Sequence, residues 1–301
     1  MKPIQSLTTL VLTAIAPIVW GSTYIVTTEL LPANSPLIAS MLRALPAGLI
    51  LVLLSQHLPN GKWWGRLAVL GFLNIGFFFY CLFYAATYLP GGMAALIMST
   101  QPVLVMLLSY ALLKSDFNYK HVIACLLGIT GIALLVLNHQ ADLDAKGLLV
   151  GLCGAVSMAS GVVLTKYWGR PPEMTLLNFT GWQLLLGGLM LLPVALWMEG
   201  FPTDLSLKNY LGYGYLAILG AIISYSLWFR GIEKLPSITV SFLGLLSSVS
   251  AVILGYFILD QSLTWLQLGG ALAILVSIVL ASSYTGRLTS PPVLKANKEL
   301  A

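Results

Sequence analysis

Apolar residues fall in long runs along this chain, each broken after about one membrane thickness by a short polar or turn-forming link. Ten runs stand out, covering 7–28, 37–54, 67–88, 92–113, 122–137, 147–167, 176–197, 211–232, 238–259 and 265–283. A hydrocarbon core of about 30 Å is crossed by about 20 helical residues, so each run predicts one transmembrane helix. The links include Leu31-Pro32-Ala33-Asn34-Ser35-Pro36, Leu89-Pro90-Gly91 and Leu235-Pro236-Ser237, where proline and glycine suit turns. No link is long enough to separate soluble domains. The pattern predicts an all-α membrane protein of ten transmembrane helices.

Composition removes the soluble alternative. Hydrophobic residues make up 58% of the chain and charged residues 8%, against about 25% charged in an ordinary globular domain. The formal charge of +5 is spread one or two residues per loop, which speaks against nucleic acid. Its placement reports topology instead. One set of alternate loops and tails holds Lys2, Lys62, Arg66, Lys114, Lys120, Lys166, Arg170, Arg230, Lys234, Arg287, Lys295 and Lys298; the other holds only Lys146 and Lys208. That bias predicts an even number of spans, both termini in the cytoplasm, and 284–301 as a cytoplasmic tail. The first run is read as a retained helix rather than a cleaved leader, because Pro17 directly follows Ala14-Ile15-Ala16 and apolar character continues past Trp20.

Cys81, Cys125 and Cys153 fall in different runs without metal or disulfide spacing and are expected as small core residues. His57, His121 and His139 are expected at solvated or interfacial span ends. Asn178-Phe179-Thr180 fits a glycosylation sequon but falls near the predicted cytoplasmic face, so it is read as chance. No cofactor motif and no clustered metal-ligating set is present, nor any of the common hydrolase signatures.

The chain also resembles itself. A shift of 146 residues places Leu89-Pro90 on Leu235-Pro236, Lys114 on Asp260 and His121 on Gln267, and a shift of about 140 aligns 47–51 with 187–191. This predicts two five-helix repeats, 7–138 and 147–283. Five is odd, so the second repeat would enter the membrane from the opposite side, the inverted arrangement common among transporters.

Trp20-Gly21-Ser22-Thr23-Tyr24, Arg43, the stretch 85–102 and Leu263-Thr264-Trp265-Leu266-Gln267 resemble the EamA branch of the drug/metabolite transporter superfamily. The resemblance runs from about Ala16 to Leu280, and within it 17–32 resembles a pigment-exporter branch. It implies a ten-helix transporter of the bacterial inner membrane, built from two EamA repeats. The implied activity is export of amino acids or related metabolites by alternating access. One departure is that many members carry a glutamate at the end of the fourth helix, where this chain has Lys114, paired by the repeat with Asp260.

Candidate site residues follow from polar and aromatic positions within the runs. On the first helix Thr13, Pro17, Trp20, Tyr24 and Thr27 recur every three to four residues and form one stripe, with Thr23 beside it. Such a stripe lines a cavity or bonds neighbouring helices. Pro17 frees a backbone carbonyl one turn earlier, and Pro102 is a second candidate for a conformational role. Asn74 and Phe78 on the third run, Ser99 and Gln101 on the fourth, and Ser224, Trp228 and Ser247 in the second half offer hydrogen-bonding and stacking groups for a polar metabolite.

Arg43 is the one basic residue well inside a run. It either receives a substrate carboxylate or ties down neighbouring carbonyls. All ten acidic residues fall in loops, tails or helix ends. Transport is therefore expected to be uncoupled, or linked to protons through Glu29 at the outer end of the first helix. Gly269, Ala273, Ser277 and Ala281 form a small-residue ridge on the last helix and Ala124 and Gly128 a shorter one on the fifth; the neighbour is another helix of this chain or a second protomer. The partners expected are a small-molecule substrate and membrane lipid. Readings from other classes are an intramembrane enzyme acting on lipid-linked substrates and a non-transporting sensor or scaffold.

Overall fold

The computed structural model describes residues 3–33, 35–88, 97–116, 118–136, 144–260 and 264–283. Every regular element among them is helical: α1 (Pro3–Leu30), α2 (Pro36–Ser55), α3 (Trp63–Gly71), α4 (Phe77–Tyr88), α5 (Gln101–Leu113), α6 (Tyr119–Val136), α7 (Ala145–Trp168), α8 (Leu176–Met198), α9 (Leu207–Ala217), α10 (Ser224–Lys234), α11 (Ser237–Gly244), α12 (Leu246–Ile258) and α13 (Trp265–Ser282). A wide π turn, Phe72–Gly76, joins α3 to α4, and a second, Ile218–Ile223, joins α9 to α10. Among the described residues eight continuous stretches are long and apolar enough to cross a bilayer, and Gln101–Leu113 and Tyr119–Leu135 are shorter apolar helices. These two stand where the fourth and fifth crossings were expected; residues 89–96, which include the expected start of the fourth, lie outside the described set.

Local chemistry sets the helix ends. Thr175 Oγ1 accepts from Asn178 N at 3.1 Å, Asp144 Oδ1 accepts from Gly147 N at 2.8 Å, and Ser206 and Thr264 form reciprocal capping boxes with Asn209 and Gln267. Three irregularities recur 146 residues apart. The π turns begin at Phe72 and Ile218. The chain turns at Ser99–Thr100 before α5 and at Leu245 before α12. Lys114, the cap of α5, and Asp260, two residues past α12, both take positive φ, 50° and 49°.

Close approach depends on glycine. α2 packs along α8, α6 along α13, α4 and α5 on α7, and α1 on both α10 and α12. A Cβ built on Gly131 would stand 2.8 Å from Gly270 O, and one on Gly21 would stand 2.6 Å from Ser247 O. The ridge on α13 is largely consumed inside the chain: Ser277 and Ala281 are buried, and Ser277 Oγ faces Gly128 of α6. Gly269 faces open space. Outward-facing side chains such as Leu54, Trp197, Phe257 and Trp265 are strongly exposed, as expected where hydrocarbon rather than water is the solvent.

Two expectations need correcting. Cys153 is exposed rather than a core residue, because it lies on the outer side of α7; Cys81 and Cys125 are buried. His121 is buried, since the first turn of α6 carries it beneath the surface instead of leaving it solvated. Asn178 of the sequon is fully buried, its Nδ2 donating to Ser55 Oγ and His57 O at 2.9 Å each.

Arg170, just beyond α7, pairs with Glu233 of α10 at 2.6 Å, while Lys166 Nζ donates to Glu233 O and Leu235 O at 2.7 and 3.0 Å. The paired side chains remain 29% and 24% exposed. Solvent screening limits such a pair to about 1 kcal/mol or less. Glu233→Gln is accordingly expected to shift the thermal midpoint by no more than a few degrees, measured by size-exclusion survival after heating.

Candidate substrate site

A π turn spaces backbone groups too widely for the normal i to i+4 bonds, so its carbonyls can turn to other donors. Both π turns use that freedom. In the first, Leu73 O accepts from Ser157 Oγ of α7 at 2.8 Å. In the second, Leu219 O accepts from Ser224 Oγ at 2.7 Å. Its neighbour Gly220 O accepts two long side chains at once, Trp20 Nε1 of α1 at 3.0 Å and Arg43 Nη2 of α2 at 2.8 Å. A backbone oxygen of the second half thus gathers two side chains of the first.

Around this oxygen the side chains are aromatic. Trp20 lies 5.0 Å from Tyr225 and 5.1 Å from Trp228, centroid to centroid. The Arg43 guanidinium carbon lies 5.2 Å from the Phe79 ring and 5.9 Å from Tyr225, within cation–π range. Arg43 is 6% exposed. No carboxylate forms an ion pair with it among the described residues. Arg43 Nε and Trp228 Nε1 are buried without hydrogen-bond partners, and so is Thr23 Oγ1, one turn along α1 from Trp20. The cluster therefore offers a buried positive charge, unused donors and aromatic faces, the set that would hold an acceptor-rich planar molecule.

The first π turn builds a different node. Asn74 is fully buried, and its Nδ2 donates to Gln183 Oε1 of α8 at 2.9 Å and Thr165 Oγ1 of α7 at 3.2 Å. Gly161 makes room for it, since a Cβ there would lie 2.1 Å from Asn74 Oδ1. This arrangement binds three helices together. Asn74→Ala leaves Gln183 Oε1 buried without that donor, an expected loss of about 1 to 2 kcal/mol. Thermal melting of the purified variant checks it.

The EamA-like transporter family model matches this chain twice, over residues 7–137 and 145–283. The chain belongs to the EamA family. Protein PecM of Dickeya dadantii (strain 3937) is 48% identical over 265 residues, covering 88% of this chain and 89% of PecM. A probable amino-acid metabolite efflux pump of Escherichia coli (strain K12) is 25% identical over 287 residues, covering 90% and 93%. A crystal structure at 17% identity superposes with a TM-score of 0.76 over 91% of this chain and 97% of its own, a likeness of fold.

Within this EamA chain the structure brings together Trp20, Arg43 and Trp228 from the expected set. Phe78 is half-buried and packs on Phe79 at 5.7 Å; the ring that meets Arg43 is Phe79. The extra residue in the π turn just before α4 rotates each following side chain by about 100° relative to an uninterrupted helix. Ser224 is buried and donates back to Leu219 O in the π turn that precedes it, and Ser247 donates to Gly244 O at 2.9 Å. Thr27 donates to Thr23 O at 2.7 Å. Ser99 is buried at the turn before α5, half-buried Gln101 and buried Pro102 open that helix, and Pro17 is buried inside α1. Glu29 is exposed near the end of α1, and the Tyr24 side chain lies outside the described set. The sequence reading missed Tyr225, Phe79 and Gly220. Tyr225 adjoins Ser224 and lies three residues before Trp228, a spacing that could have found it; a backbone carbonyl leaves no sequence signal.

Proposed function

We propose that this EamA protein exports a small metabolite across the bacterial inner membrane by alternating access. Its substrate is an amino acid, an amino-acid derivative or a related heterocycle, bound near the Trp20–Arg43–Trp228 cluster. The observation that carries the reading is Gly220 O, which takes donors from α1 and α2 of the first half while sitting in the π turn of the second. A ligand that competes for those donors would act on the contact between the halves, which is how binding biases a two-state element.

The two family matches, the irregularities repeated every 146 residues and the loop charge bias support two inverted five-helix repeats with both termini cytoplasmic. The weak Arg170–Glu233 tie is the kind of contact that can open and re-form in a transport cycle. The exposed position of Glu29 favours uncoupled export or exchange over a buried proton relay.

The test is counterflow into liposomes holding the purified protein, run against a labelled panel of amino acids, their derivatives and heterocycles. Saturable movement of an unchanged compound, lost in folded Trp20→Ala, establishes transport and identifies the substrate class. A covalently altered product, or no saturable ligand at all, overturns it.

A further inference from the structure

Resting on the transport reading and narrowing its substrates to those without a free amino group, we infer that the substrate is a carboxylic acid or equivalent anion that bears a planar ring and no free ammonium group. The observation is an imbalance of charge. Arg43 is buried in a membrane-spanning bundle, and arginine stays protonated in proteins. Among the described residues it meets one carbonyl and two aromatic faces and no carboxylate. An uncompensated charge at this depth is costly and is retained where something supplies the opposite sign.

No described residue supplies it. All ten acidic residues fall in loops, tails or helix ends, and Glu29, on the same helix as Trp20, is exposed. The unused donors Arg43 Nε and Trp228 Nε1 belong to the same cluster and suit acceptor oxygens. Gly244 leaves space beside the Trp228 ring, since a built Cβ there would meet only Trp228 Cη2, at 3.6 Å.

The same imbalance selects against a zwitterion. An α-ammonium brought in with a carboxylate would sit near the guanidinium with no carboxylate of its own, and like charges at short range in a low dielectric repel. A neutral amide would leave the buried charge unbalanced. The ring has Trp20, Tyr225 and Trp228 to stack on.

Three probes share one skeleton: 3-phenylpropionate, its carboxamide, and phenylalanine, which adds the ammonium. Counterflow and binding by tryptophan-fluorescence quenching are measured on the same purified protein. The expected result is a preference of about tenfold or more for the acid over both others. In Arg43→Gln the acid and the amide become indistinguishable. Should that variant fail to fold, Arg43→Lys keeps the charge without the fork and is expected to retain a reduced preference.

Equal handling of the three probes, preference for phenylalanine, or no binding of any of them overturns the inference. In the first two cases transport itself still stands. Preferential binding of the acid without movement of any compound upholds the inference and overturns the transport reading instead.

Discussion

Gly48→Ala is expected to be the most damaging single-methyl change in the protein. A Cβ at this position would stand 2.2 Å from Leu185 N, 2.6 Å from Leu185 Cα and 2.8 Å from Leu184 C. All three atoms are backbone of α8, so no side chain can swing aside; the two helices must separate. On the same seam Gly188 faces Leu45 Cα at 2.7 Å and Gly181 faces Leu51 Cβ at 2.7 Å, so parting α2 from α8 disturbs the seam along its length. Overpacking of this kind costs about 3 kcal/mol or more, well above the gain of about 1 kcal/mol that alanine brings to a helix over glycine. The thermal midpoint of the detergent-solubilised protein should fall by about 10 °C. Gly269→Ala is the control, because open space surrounds it; it should hold or slightly raise the midpoint. Equal midpoints for the two variants would mean that α2 and α8 do not touch as described.

Trp20→Ala should produce the largest loss of transport among variants that stay folded. Trp20 is half-buried, so its removal empties less core than loss of Trp228 would. Yet it removes three contacts from one centre: the hydrogen bond to Gly220 O at 3.0 Å and the rings of Tyr225 and Trp228. Arg43 alone then holds Gly220 O. A lost hydrogen bond of about 1 kcal/mol together with aromatic contacts of about 1 kcal/mol each predicts counterflow below about one tenth of wild type. Trp20→Phe separates the two contributions. It keeps a ring but no donor, and an intermediate rate is expected. Wild-type rates in both variants would remove Trp20 from the transport machinery while leaving the family assignment untouched.

The Asn74 node shows how the same residue type reads differently with and without a fold. In the sequence, a buried amide in an apolar run offers donors and acceptors to a ligand or to another helix. In the structure its amide hydrogens go to Gln183 and Thr165, residues 109 and 91 positions away. A candidate for substrate binding is thereby engaged in joining three helices.

The class of fold was legible in the chain because the bilayer is a demanding solvent: it admits only segments whose backbone bonds are satisfied internally and whose side chains are apolar, so each crossing writes itself into about 20 consecutive residues. The 146-residue register between the halves was legible too, through pairs such as Lys114 and Asp260. Trp20, Arg43 and Trp228 were legible as individual candidates, since polar or aromatic side chains stand out in an apolar run.

Which of them meet was decided by tertiary structure alone. The π turn at Phe72–Gly76 redirects α4 so that Phe79 rather than Phe78 faces Arg43, and the π turn at Ile218–Ile223 frees the Gly220 carbonyl on which Trp20 and Arg43 converge. Neither turn has a signature in composition or spacing. Each depends on local helix winding and on donors contributed by distant helices, which only the folded chain brings within reach.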